Sequence, residues 1–152
     1  MSDSIFVMLK KENMPTAKEW SDEVKKRGFG LEIDTTYEKE IDADGIYGFR
    51  PCKYYNIEDL GYELDILSRE NNSEDFEEWD EDFSEVRECD LVVIFGVFEE
   101  DDVFAAMVAG YTLSKFSSGV YFDVDKPIDL NELHKQCREV DTQLKHRPTG
   151  VG

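Results

Sequence analysis

Apolar residues along this chain fall into short blocks, and the spacing inside each block predicts an element. Ile5-Phe6-Val7-Met8-Leu9 is a continuous apolar run of strand length and reads as a central strand. Pro15-Thr16 then opens a helix over TAKEWSDEVKKRG, with Trp20 and Val24 four residues apart and Gly28 or Gly30 as the stop. Leu31 to Asp34 reads as a second strand, and residues 35–45 (TTYEKEIDADG) as a charged loop without a period. Ile46 to Tyr55 is β-like, but Pro51 lacks the N–H that a ladder needs, which puts it at an edge or a bulge. Gly61-Tyr62-Glu63-Leu64-Asp65-Ile66-Leu67 alternates apolar with acidic, the pattern of a half-buried strand. The two segments make a hairpin joined by NIEDL, residues 56–60.

Asn71 or Asn72 next caps a helix expected to run to about residue 88. Leu91-Val92-Val93-Ile94-Phe95-Gly96-Val97-Phe98 is the clearest strand in the sequence. After Glu99-Glu100-Asp101-Asp102 comes VFAAMVAGYTLSKF, apolar nearly all round and therefore a buried helix. Ser117-Ser118-Gly119 turns into a strand over Val120 to Val124, and Asp129-Leu130-Asn131-Glu132 is a capping box for a last helix through about Leu144. Together these elements predict one α+β domain over residues 1–145. Its sheet is mixed or antiparallel, with three to four helices packed on one face, and residues 146–152 form a frayed tail.

Composition sharpens the functional question. The 152 residues are 40% hydrophobic and 12% aromatic, ample for a packed core. Thirty-six acids oppose 17 bases, a formal charge of −19. Phosphate recognition needs Lys and Arg, so nucleic acid is disfavoured as a direct partner, and anionic membrane for the same reason. Basic proteins, basic peptides and multivalent cations remain as partners. The N-terminus has no apolar signal region and no window reaches the length of a membrane span, so the cytosol is the expected address. Cys52, Cys89 and Cys137 are odd in number and widely spaced, with no disulfide framework. In a reducing cytosol the sequon at Asn71 carries no meaning.

Catalytic motifs do not emerge. His134 and His146 are the two histidines, neither in a nucleophile context, and no G-x-S-x-G elbow occurs. Gly28-Phe29-Gly30 follows a helix and lacks the third glycine of a dinucleotide fingerprint, so it is a turn. Zinc needs a Cys or His cluster, and none is present. Two calcium-loop candidates fail on spacing: Asp42-Ala43-Asp44-Gly45 places its glycine fourth and Lys53 twelfth, and Asp123-Val124-Asp125 places Ile128 sixth and His134 twelfth. No cofactor and no dedicated metal site are expected, beyond weak calcium binding to the acidic surface.

The segment SEDFEEWDEDFSEVRECD, residues 73–90, is unusual because it combines ten carboxylates and one arginine with a regular apolar stripe. At 100° per residue, Phe76, Trp79, Phe83 and Val86 fall within about 80° of one another. Glu74, Glu77, Glu78, Glu81, Glu85 and Glu88 fall on the opposite side within about 100°, with Asp75, Asp80 and Asp82 on the flanks. The stripe docks the helix and the other face presents glutamate. An acidic face is often only a solubility device, but solubility needs a net charge of roughly 2 to 8 in a small domain. Concentrating a larger excess on one element fits the steering of a basic partner. For Glu99 to Asp102 the helix dipole gives a sufficient reason, since acids in a first turn are stabilised by it.

Gly48-Phe49-Arg50-Pro51, Gly61-Tyr62-Glu63, the strand end Ile94-Phe95-Gly96, Ala105, Ala106 and Ala109, and Gly119-Val120-Tyr121-Phe122-Asp123 follow in an order that resembles a loose family of small bacterial proteins of unassigned activity. Such proteins are met among the immunity proteins of polymorphic and contact-dependent toxin systems. The resemblance spans residues 46–124 and rests on turns and core positions, with Ser118-Gly119 where that pattern has Gly-Gly. It implies a binding role and carries no catalytic residue. The expected function is a non-catalytic inhibitor that covers the phosphate-binding cleft of a basic toxin domain, most simply a nuclease. Glu77, Glu78, Glu81, Asp82 and Glu85 would steer the partner, extended by Glu99, Glu100, Asp101 and Asp102. The alternatives are a general nucleic-acid mimic, an enzyme with a carboxylate site, and a protein that stores or senses cations.

Overall fold

A computed structural model describes residues 4–34, 45–55, 57–123 and 126–145. Six strands form one antiparallel sheet: β1 (Ser4–Leu9), β2 (Gly45–Tyr54), β3 (Ile57–Ser68), β4 (Leu91–Gly96), β5 (Val120–Asp123) and β6 (Lys126–Pro127). Their spatial order is β2-β3-β4-β1-β5-β6, with every neighbouring pair antiparallel. The helices are α1 (Ala17–Lys26), α2 (Ser73–Asp82), α3 (Glu100–Ser117) and α4 (Leu130–Lys145), with short 3-10 turns at Lys11–Asn13 and Ser84–Val86. The chain is an α+β domain.

The two apolar runs occupy the middle of the sheet because both of their faces are covered. Val7, Leu9, Val93 and Phe95 point to an inner core shared with Trp20 of α1, Phe104 and Ala105 of α3, and Leu133 and Cys137 of α4. Met8 and Val92, on the opposite pleat, enter a smaller outer core with Phe76, Val86, Cys89 and Phe122. The sequence predicts helices on one face only; instead, among the described helices, α2 packs on the outer face. Helix α3 is enclosed almost all round, as its apolar composition requires. It approaches the sheet so closely that a Cβ on Gly110 would lie 2.7 Å from the Tyr121 ring.

Local chemistry accounts for the ends of several elements. Thr16 and Glu19 form a reciprocal capping box at α1. The Glu132 N–H donates to Asp129 Oδ2 at 3.1 Å before α4. Asn72 precedes α2, but its side-chain amide donates back to the Ser68 carbonyl instead of capping the helix. Pro51 lies in β2, an edge strand, as its missing N–H demands.

Four expectations need correction. Leu31 to Asp34 contributes only an isolated bridge between Glu32 and Lys53. Most of NIEDL belongs to β3, because Tyr54 pairs directly with Ile57 and Tyr55 takes the turn at φ 46°. β6 is an added two-residue strand after β5. The acidic helix stops at Asp82, not near residue 88: Phe83 is extended at φ −136° and ψ 110°, and a 3-10 turn follows. Glu81 and Asp82 sit in the last turn of α2 with no base, where the dipole disfavours negative charge. Leaving the helix also lets the Phe83 ring reach Phe122, at a centroid distance of 5.1 Å. Residues 35–44 of the predicted charged segment 35–45, most of the first calcium-loop candidate, Val124 and Asp125 of the second, and the predicted tail lie outside the described residues.

Candidate protein-binding surface

Helix α2 is held from one side and acidic on the other. Phe76 and Val86 are fully buried beneath it, while Trp79 is half-buried with its ring 5.5 Å from Phe6 and 5.3 Å from Phe76. Arg69, just past the end of β3, fastens the helix. Its guanidinium forks onto Asp80 at 2.6 and 3.0 Å, donates to the Cys89 and Val86 carbonyls at 2.7 and 3.0 Å, and lies 4.7 Å from the Phe76 ring centre. The hydrogen bond from Arg69 holds the Asp80 carboxyl below its usual range. Arg69 was not legible as a site residue, because nothing in its local pattern pairs it with a position eleven residues on.

Asp80 is therefore taken up inward, and the remaining acids face solvent. Glu74, Asp75, Glu77, Glu78, Glu81, Asp82 and Glu85 are all exposed. Among the described residues none of these seven forms an ion pair. Arg87, the segment's one base, spends its Nε on the Asp80 carbonyl at 3.0 Å. Glu88 meets Lys10 at 3.6 Å, an exposed pair of little energetic weight. The break at Phe83 moves Glu85 off the helix into the 3-10 turn, so the helical face proper is Glu74, Glu77, Glu78 and Glu81.

The acids at the start of α3 divide differently. Glu99 and Glu100 are exposed and Asp101 is half-buried. Asp102 is only 3% exposed and belongs to the interior, which corrects its assignment to the surface. One of its oxygens accepts the Gly61 N–H at 3.0 Å and the other the Glu99 N–H at 3.2 Å. It caps α3 and ties that helix to β3. Glu100 and Asp101 rim a groove of about 340 Å³ whose apolar lining includes Phe104, Met107, Val140 and Leu144. Since α2 packs on the outer core and α3 on the inner, the sheet separates the two acidic groups.

His134 and the three cysteines are built into the packing. The His134 ring stacks on Tyr111 at 5.2 Å and accepts from Arg138 Nε at 3.3 Å. Burial, then Arg138, Arg27 and Lys115, lower its pKa. Burial pushes the Cys52 and Cys137 thiols up to about 12 and Cys89 to about 11, so none is a thiolate near neutrality. Among the described residues no three His, Cys, Asp or Glu side chains are grouped to hold a metal, and no helix is long and apolar enough to cross a membrane. No family model, curated protein or solved structure matches the chain. The surface has to be read from its own geometry.

Proposed function

We propose that this protein is a non-catalytic inhibitor that binds a basic protein through the exposed acids of α2, in the manner of an immunity protein covering the nucleic-acid cleft of a bacterial nuclease toxin. The observation that carries the reading is the asymmetry of α2. Its inward carboxylate, Asp80, has an arginine, while its outward acids have no ion-pair partner among the described residues. Like charges three and four residues apart cost a few tenths of a kcal/mol each on a helix. The body of the protein tolerates that cost by anchoring the helix with Phe76, Val86 and Arg69. Such a rigid, single-sign surface raises the rate of encounter with a cationic cleft. Glu99 and Glu100 would extend the field at the far side of the sheet, whereas Asp102 stays structural.

Co-expression tests the reading. A basic toxin domain encoded in the neighbouring reading frame should be tolerated by a host cell only when this protein is present, and the two should copurify. Equal killing with and without it, by every basic domain encoded beside the gene, would contradict the proposal. A general nucleic-acid mimic would instead bind many unrelated basic proteins with similar affinity.

A further inference from the structure

Strand register maps the outer face of the sheet row by row. In one row Leu67 lies opposite Val92, Val92 opposite Met8, and Met8 opposite Val120. In the next row Asp65 lies opposite Ile94, Ile94 opposite Phe6, and Phe6 opposite Phe122. Met8 and Val92 are fully buried with Phe76 of α2. Ile94 and Phe6 are only half-buried, although β4 and β1 are the two central strands. Helix α2 has ten residues and is about 15 Å long, and its cover ends along this second row. Trp79 marks the edge: it is half-buried, with its ring 5.5 Å from Phe6, which stacks in turn on Phe122 at 4.9 Å. Trp79, Phe6 and Ile94 form an apolar strip, partly open to solvent, at the centre of the face.

What borders the strip is acidic. Measured round α2 from Trp79, Phe76 and Asp80 lie about 60° and 100° to one side, where Arg69 is fastened. Asp75, Asp82 and Glu78 lie about 40°, 60° and 100° to the other side. All three are exposed, and among the described residues none forms an ion pair. On the same pleat of β1, β3, β4 and β5 the charged residues are Glu63 and Asp65, with no base among them. The bases around α2 are engaged elsewhere: Arg69 with Asp80, Lys10 with Glu88, and Arg87 with the Asp80 carbonyl. The strip is an apolar centre with negative charge along both margins.

We propose that this strip, Trp79, Phe6 and Ile94, is the anchor for the basic partner. An aliphatic side chain of the partner seats on it, and the bases beside that side chain meet Asp75, Glu78 and Asp82. The inference rests on the partner being basic and adds the place where it is held. Interfaces bind through a few central residues, often aromatic, from which water is excluded, while surrounding charge sets the encounter rate and the choice of partner. Charge selects the occupant here. A second copy of this chain would bring its own charge of −19. A neutral apolar segment would leave three carboxylates partly desolvated without a cation. The rings are already fixed by their contacts with Phe76 and Phe122, so little freedom is lost when a partner arrives. The acids of α2 steer; the strip beside them holds.

Two synthetic peptides of equal length and charge, (Lys-Leu-Ser)4 and (Lys-Ser-Ser)4, test the strip by NMR of the wild-type chain at physiological salt. With the leucine peptide the Trp79 indole N–H and the Phe6 and Ile94 amides should shift saturably. The Trp20 indole, buried and bonded to Ala109 and Thr112, should stay fixed as an internal reference. The serine peptide should bind about tenfold more weakly, because it keeps the charge and loses the apolar contact. Ile94→Thr, which keeps a β-branched residue on β4, should weaken the leucine peptide several-fold and leave the serine peptide unchanged. Glu78→Gln/Asp82→Asn should weaken the leucine peptide more than Glu99→Gln/Glu100→Gln, which removes equal charge on the other side of the sheet. Equal binding of the two peptides, an unmoved Trp79 indole, or shifts centred on Met107 and Val140 in the groove between α3 and α4 would overturn the anchor. The wild-type comparison decides this even where a variant is unstable. Protection from a toxin that leaves Trp79 unmoved would remove this anchor and keep the inhibitor reading. Leucine-peptide seating on a chain that protects against no basic domain encoded beside its gene would keep the anchor and remove that reading.

Discussion

Phe76 and Trp79 lie three residues apart on one stripe, yet only Phe76 is fully enclosed. Phe76→Ala should cost about 3–5 kcal/mol, the range for truncating a buried aromatic. Trp79→Ala should cost only about 1–2 kcal/mol, in keeping with half the burial. Fluorescence separates the two tryptophans, because Trp20 is fully buried and donates to the Ala109 carbonyl and Thr112 Oγ1, both at 3.1 Å. A Trp20→Phe variant should emit further to the red and quench more readily than Trp79→Phe. The reverse order would show that the stripe is more enclosed than α1. His134 makes a pH prediction of definite sign. Its folded pKa is lowered, so the neutral ring is favoured in the fold. The stabilisation it gives is complete above the unfolded value of about 6.5 and is lost as pH falls through the lower folded value. His134→Gln should therefore lose less melting temperature than wild type between about pH 7 and pH 5. An equal loss would exclude His134 as the group responsible.

Elements differed in how much of them could be read from the chain. The apolar runs of β1, β4 and α3 declare themselves, because an element covered on both sides needs apolar residues at every position. The capping box of α1 and the alternation of β3 are equally local signals. The end of α2 is not local. Its wheel extrapolates smoothly past Asp82, and what stops it is the Phe122 ring on a distant strand, together with the charge on its last turn. Nor does any spacing announce that α2 crosses to the face opposite the other helices, or that Arg69 reaches Asp80. The exposed acids of α2 could be named in advance, but the burial of Asp102 depends on Gly61, forty-one residues away. The Arg69 cluster carries its own prediction. Arg69→Met should destabilise the protein by about 1–3 kcal/mol, since it leaves Asp80 and the Cys89 carbonyl short of a donor, while the Val86 carbonyl keeps the Cys89 N–H. Hydrogen exchange should rise first in α2 and the 3-10 turn, while the inner core stays protected. Uniform loss of protection across the sheet would mean that Arg69 supports the whole fold and not this helix alone.

At the scale of the whole molecule, the question is whether the charge of −19 is spread for solubility or placed for binding. Replacing Glu77, Glu78, Glu81 and Glu85 with glutamine lowers the charge from −19 to −15, as four acids become neutral. Helix propensity hardly changes, because Glu and Gln rank together. Repulsion within α2 falls and one charge leaves the unfavourable end of its dipole, so thermal stability should hold or rise slightly. The direct test is the association rate of this variant and of wild type with a basic domain of the kind proposed as its partner. At low salt the variant should associate about tenfold more slowly, and near 0.5 M salt most of that difference should vanish as screening removes the wild-type advantage. A folded variant that associates as fast as wild type at low salt, and protects as well, would contradict the account and leave the acidic face as a device for solubility.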